Sequence, residues 1–138
     1  MIRGRRRKIQ KYREELEDIF YWNEKEGILK KAGIIKRLSR YGAKIKELSG
    51  IVLTSANLSN TNLESTTLEG ADLTGAKLND SLLNRSILSR YAASSQEDIV
   101  LSVENKFTRI TGAELNHVQL CDAECAYIDF SEIQMMHA

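Results

Sequence analysis

Between residues 51 and 90 the chain repeats itself every five positions. Leucine stands at Leu53, Leu58, Leu63, Leu68, Leu73, Leu78, Leu83 and Leu88. Two places before each lies a small or β-branched residue: Ile51, Ala56, Thr61, Thr66, Ala71, Ala76, Ser81 and Ser86. The positions between are mostly polar, as at Asn57, Asn62, Asp72 and Lys77. After a break the pattern returns with Leu115, Leu120, Cys125, Phe130 and Met135, preceded at two places by Ala113, Val118, Ala123, Ile128 and Ile133. A period of five fits neither the 3.6-residue turn of an α-helix nor the alternation of a strand, and either would scatter these leucines around itself. Each unit must instead be a short extended piece closed by a turn, with its large and small residues pointing to the same side. Four units make a square coil, and successive layers stack about 4.8 Å apart, each satisfying the backbone groups of the next. Both series then face inwards. Gly70 and Gly75 fall at unit junctions, where glycine takes a tight turn with least strain.

Units such as Ala56-Asn57-Leu58, Asn62-Leu63, Ala71-Asp72-Leu73 and Ala76-Lys77-Leu78 resemble the pentapeptide-repeat family. The resemblance is strong over 51–90 and weaker over 111–135. It implies a mainly β fold, a right-handed parallel β-helix forming a quadrilateral solenoid of five-residue repeats. The implied interior is Leu53, Leu58, Leu63, Leu68, Leu73, Leu78, Leu83, Leu88, Leu115, Leu120, Cys125 and Phe130. No particular activity follows, because this fold is shared by proteins with different roles.

Several positions depart from the pattern. Leu82 and Ile87 occupy outward places that are normally polar, and two apolar residues in adjacent units suggest a cover. From Leu88 to Leu115 is 27 residues, five units plus two, so the second block is out of phase with the first. Residues 91–109 form the excursion. Ile99, Val100, Leu101 and Val103 make it too apolar for a wholly solvated loop, so it folds back, as a helical turn or as an extended flap. It either shields Leu82 and Ile87 or contributes to a binding face.

Residues 5–23 place Ile9, Tyr12, Leu16, Ile19 and Phe20 on one helical stripe, and a second helix over 25–40 carries Ile28, Leu29, Ala32, Ile35 and Leu38. Tyr41-Gly42 supplies a glycine stop. A solenoid needs its terminal layer covered, and the second helix is the expected cap. The first packs on its neighbour or on a partner. The organisation read from the sequence is thus an α-helical cap at 1–48, repeat coils at 49–90, an insertion at 91–109, and further coils at 110–138 with an open end.

Hydrophobic content of 42% and charged content of 28% suit a globular chain rather than a disordered one. No apolar run approaches the roughly 18 residues of a membrane span, and the basic start is not followed by a signal-peptide core. The two cysteines read as free thiols. Location in the cytoplasm is expected, with peripheral membrane contact as an extension. The net charge of +1 conceals a division: residues 1–50 carry 15 Lys+Arg and 7 Asp+Glu, whereas 51–138 carry 5 and 12. The run Arg5, Arg6, Arg7 and Lys8, within a basic stretch at 3–13, is a candidate contact for nucleic-acid phosphates or an anionic membrane surface, with Trp22 as a further partner-binding candidate. At the other end Phe130, Met135 and Met136 form a soft apolar patch that predicts contact with a partner, with a homodimer slightly favoured.

Chemistry of other kinds finds little support. Cys121 and Cys125 diverge in this register, and His117 and His137 complete no zinc pattern. Glu64, Glu69, Asp72 and Asp80 lie on outer faces, where carboxylates keep ordinary acidity. No nucleophile, base and orienting group can be assembled, and no glycine loop cradles a phosphate. The expectation is a non-enzymatic interaction or scaffold module without cofactor, metal or small-molecule substrate, an accessory subunit of a larger assembly with a protein partner. Two alternatives stand beside it. The family includes mimics of duplex DNA that occupy the DNA-binding saddle of a type II topoisomerase, although three coils give a rod only about 15 Å long. The basic helix alternatively binds nucleic acid or a membrane surface.

Overall fold

The structure is a computed structural model that describes residues 2–89, 108–125, 128 and 133–136. Two helices come first, α1 (Ile2–Ile19, 18 residues) and α2 (Lys25–Arg40, 16 residues). They fold back on each other as a hairpin. At one end Arg5 donates to the Tyr41 carbonyl, and at the other the Lys31 ammonium donates to the Phe20 carbonyl at 3.1 Å. The stop after α2 is a glycine motif with both of its hydrogen bonds: Gly42, at φ +67°, donates to Ser39, and Ala43 donates to Leu38. Leu16 on α1 and Ile28, Ala32, Ile34, Ile35 and Leu38 on α2 join the interior of the repeats in one core. Leu29, expected on that stripe, instead faces outward and is 60% exposed.

The repeats then wind with a layer every 20 residues. Parallel bridges join Glu47 to Thr67, Val52 to Asp72, Asn57 to Lys77 and Asn62 to Leu82, and the column of Glu47 and Thr67 continues to Ile87. Two backbone hydrogen bonds make each bridge, as where Leu53 N–H reaches Asp72 and Asp72 N–H reaches Ile51, both at 2.8 Å. Among the described residues regular strand is nevertheless confined to β1 (Ile87–Ser89) and β2 (Glu124–Cys125), which pair in parallel. The longer regular elements are thus the two helices, not strands as a mainly β chain would have. The cause is the five-residue period itself: a turn interrupts every extended piece after a single bridge, before a strand can lengthen.

Each turn puts one residue in the left-handed region. Glycine fills that place at Gly50, Gly70, Gly75 and Gly112, with φ between +66° and +74°. Ser55, Asn60, Ser65, Asp80, Arg85, His117 and Asp122 fill it elsewhere, with φ between +56° and +60°. Such a conformation costs a non-glycine residue about 1–2 kcal/mol. The offset is a hydrogen bond along the stack, since the same residue's N–H reaches the turn of the next layer, as from Ser55 to Thr74 at 2.8 Å and from Arg85 to Cys121 at 2.8 Å.

Inside, every fifth-position leucine from Leu53 to Leu88 is buried, and so is the small-residue series from Ile51 to Ser86. The hydroxyls buried there are bonded rather than stranded: Ser81 and Ser86 donate to Leu78 and Leu83, and Thr66 donates to Ile45. Leu115 continues the ladder, but Leu120 and Cys125, expected in the interior, are only half-buried against the core. They stand one layer beyond Leu83 and Leu88, and among the described residues no further layer bridges theirs. Phe130 lies outside the described residues.

The phase break is resolved in space. Asp72 bridges Arg109, 37 positions on instead of 20, and Lys77 bridges Glu114 by the same offset, so 17 residues are interposed without changing the stack. The coil therefore resumes at Thr108, and the excursion expected over 91–109 gives up its last two residues to the ladder. Thr108 is buried, its hydroxyl against the Leu68 and Leu88 carbonyls, and Ile110 takes the inward place of a leucine. What remains of the excursion lies outside the described residues.

Candidate functional site

With the interior filled, what the coil offers a partner is its outer columns. The residue between each inward pair points outwards, and it often also serves the turn. Asn57, Asn62 and Asp72 accept the N–H of Ser59, Glu64 and Thr74 through their side-chain oxygens at 3.0–3.1 Å, and Glu47 does so for Ser49 at 2.9 Å. That requirement explains the preference for Asn and Asp beside each leucine. Lys77 and Leu82 cannot accept in this way, and in their units a turn asparagine bonds across layers instead. Asn79 accepts from Asn116 N–H and donates to Glu114, while Asn84 accepts from Cys121 N–H and donates to Gln119. Charge on these columns is mixed and partly paired, with Arg109 at 3.5 Å from Asp72 and Arg85 at 3.6 Å from Glu64.

Residues 47–90 match the family model described as pentapeptide repeats, in eight copies. The chain carries a pentapeptide-repeat block. No curated protein matches the chain. Pentapeptide-repeat proteins are in general protein-interaction modules. The match ends at 90, yet the same layer geometry continues past it through Arg109, Glu114, Gln119 and Gln134. The block's outward apolar pair, Leu82 and Ile87, is half-buried on adjacent columns, Leu82 between Asn62 and Gln119, Ile87 between Thr67 and Glu124.

Of the basic candidates, Arg6, Arg7 and Lys8 are exposed on α1, while Arg5 donates through Nε to the Tyr41 carbonyl at 2.9 Å and ties α1 to the end of α2. Trp22 is half-buried across Gly27, with the Lys30 ammonium 5.0 Å from its ring centre. Met135 and Met136 are 40% and 58% exposed, near each other on the last described layer.

α1 and α2 differ in how charge runs along them. The first turn of α2 holds Glu26 and its last turn Arg37 and Arg40, the order that suits a helix dipole. In α1 the order is reversed: cations from Arg3 to Arg13 occupy the first two-thirds and Glu14, Glu15, Glu17 and Asp18 the end. Each misplaced charge near a terminus costs about 0.3–1 kcal/mol, so this arrangement is not explained by helix stability.

Burial shifts two titratable groups among the described residues. Lys31 is fully buried, and burial lowers its pKa from the ordinary 10.5; its ammonium donates to the Phe20 carbonyl and to Asn23 Oδ1 at 2.9 Å. Burial raises the Cys125 thiol, which makes it a weaker nucleophile, and Cys121 is exposed. Among the described residues no three His, Cys, Asp or Glu side chains converge on a metal-sized site, and no helix is long and apolar enough to cross a membrane. Sequence reading missed one feature, the cations of 36–46, whose signal was the lack of any acidic residue in that stretch.

Proposed function

We propose that the chain is a non-enzymatic protein-binding scaffold, an accessory subunit whose repeats form the right-handed quadrilateral β-helix implied by their family and whose helical hairpin caps it. Support comes above all from Leu82 and Ile87: a rigid frame that presents adjacent apolar side chains on otherwise polar columns suits a protein contact. Immunoprecipitation from native cells, quantified by mass spectrometry, tests this against a Leu82→Asp, Ile87→Asp double variant matched for melting temperature. A partner retained by the parent chain and lost by the variant is the expected result. Identical partner sets would remove the argument.

Met135 and Met136 are proposed as the contact for a second copy, to be checked by light scattering with Met135→Lys. The reading as a duplex mimic of a type II topoisomerase is less favoured. A mimic needs rows of unopposed carboxylates, whereas Asp72 and Glu64 each face an arginine and Lys77 stands in a column with Glu114. Unchanged supercoiling by the topoisomerase in the presence of the purified chain is the corresponding expectation.

A further inference from the structure

Two stretches of sequence without a single acidic residue, 2–13 and 36–46, lie side by side in the fold. The first contributes Arg3, Arg5, Arg6, Arg7, Lys8, Lys11 and Arg13, the second Lys36, Arg37, Arg40, Lys44 and Lys46. Four contacts hold them together: Arg5 Nε to the Tyr41 carbonyl at 2.9 Å, Arg13 Nη2 to the Lys44 carbonyl at 3.2 Å, the Tyr12 and Tyr41 rings at 6.1 Å, and the Arg37 guanidinium 5.7 Å from the Tyr12 ring centre. Hairpin folding has thus merged two basic segments into one cationic end, exposed at every one of its basic residues except Lys36, with Glu17 and Glu47 as the carboxylates beside Arg13, Lys44 and Lys46.

We infer that this end of the hairpin binds the phosphate backbone of a nucleic acid, without reading its sequence. Three observations single out that partner. The charge order of α1 opposes its own dipole, so the cations answer to something outside the helix. Arginine predominates, and its planar fork matches phosphate oxygens in pairs. A helix lying in a membrane surface needs an apolar face to bury. Here Ile9, Tyr12, Leu16 and Ile19 of α1 are turned onto the core, and the exposed Tyr21 and Leu29 stand at the opposite end of the hairpin.

The test is fluorescence anisotropy of a labelled 20-base-pair DNA duplex, and of an RNA duplex of the same length, titrated with the full chain at several salt concentrations. About five phosphate contacts give a log–log salt slope near −4 to −5, a loss of several hundred-fold between 50 and 200 mM salt. Arg6→Glu with Arg7→Glu, and separately Arg40→Glu with Lys44→Glu, should each weaken binding about tenfold or more while leaving the melting temperature unchanged. The second pair decides whether the surface is bipartite, because an isolated basic tail would not respond to it. No binding at 50 mM salt, an effect of the α1 pair alone, or tighter binding to phosphatidylserine vesicles than to either duplex would each overturn the proposal.

Discussion

The Trp22 side chain and carbonyl lie so close over Gly27 that a Cβ there would stand 2.2 Å from the Trp22 oxygen and 2.5 Å from its Cγ. No side chain fits that space, and the obstacle is partly backbone, which cannot swing aside. Gly27→Ala should therefore force open the connection between α1 and α2, at a cost of about 1–3 kcal/mol. A fall in melting temperature with a red shift of the single tryptophan's fluorescence would check it. Gly33, where an added Cβ meets nothing within 4 Å, supplies the control: Gly33→Ala should not destabilise.

Turn positions give a paired prediction with opposite signs. Gly75 sits at φ +66°, and a Cβ would meet Ser55 Oγ at 3.1 Å, so Gly75→Ala should cost about 1–2 kcal/mol. Arg85 occupies an equivalent place at φ +57°, and its exposed pairing with Glu64 contributes little. Arg85→Gly should leave stability unchanged or raise it by up to about 1 kcal/mol. Urea unfolding of the two variants reads both signs.

Depth within the stack should set the cost of truncation. Leu73 is 1% exposed with layers on both sides, whereas Leu120 is half-buried. Leu73→Ala should cost about 2–5 kcal/mol and Leu120→Ala clearly less. Equal losses in thermal unfolding would contradict the inward ladder as described. Leu73→Asp, which leaves a carboxylate without a partner among apolar layers, should abolish folding of the block.

Lys31 predicts a pH dependence of definite sign. Its folded pKa is lowered by burial, so between that value and 10.5 the unfolded chain binds more protons than the folded one. Stability should rise with pH across this window through Lys31, and below the folded pKa the contribution is constant. The difference in melting temperature between the parent chain and Lys31→Met, followed upward from pH 7, isolates the effect from other lysines. A difference that grows in favour of the parent chain is expected; one that shrinks would contradict the assignment.

The layer period and inward ladder were legible because a leucine every fifth residue, with a small residue two before it, leaves few other arrangements. Left-handed turns were legible only where glycine marked them. Ser65, Asn60 and Arg85 adopt the same conformation, imposed by hydrogen bonding from the next layer that no local sequence reveals. Resumption at Thr108 was obscured because Thr108 and Ile110 form an inward pair without a leucine, although Thr66 and Leu68 have the same spacing. Each basic stretch carried a signal in the sequence, but their joining did not, since residues 2–13 and 36–46 meet only through tertiary contacts.

The place where the ladder takes in 17 residues beyond its regular 20-residue layer before returning at Thr108 has an evolutionary meaning. The bridges from Ile87 to Thr67 and from Arg109 to Asp72 bracket this insertion, and the Thr108 hydroxyl clasps the Leu88 carbonyl, so its two ends are anchored beside each other by the frame itself. Under that constraint extra length costs little, since the entropy of closing a chain between fixed ends grows only by about 0.6 kcal/mol for each doubling of its length. This seam can accept new sequence, natural or grafted, while the layers on either side keep their register, so length can change there without renegotiating the fold.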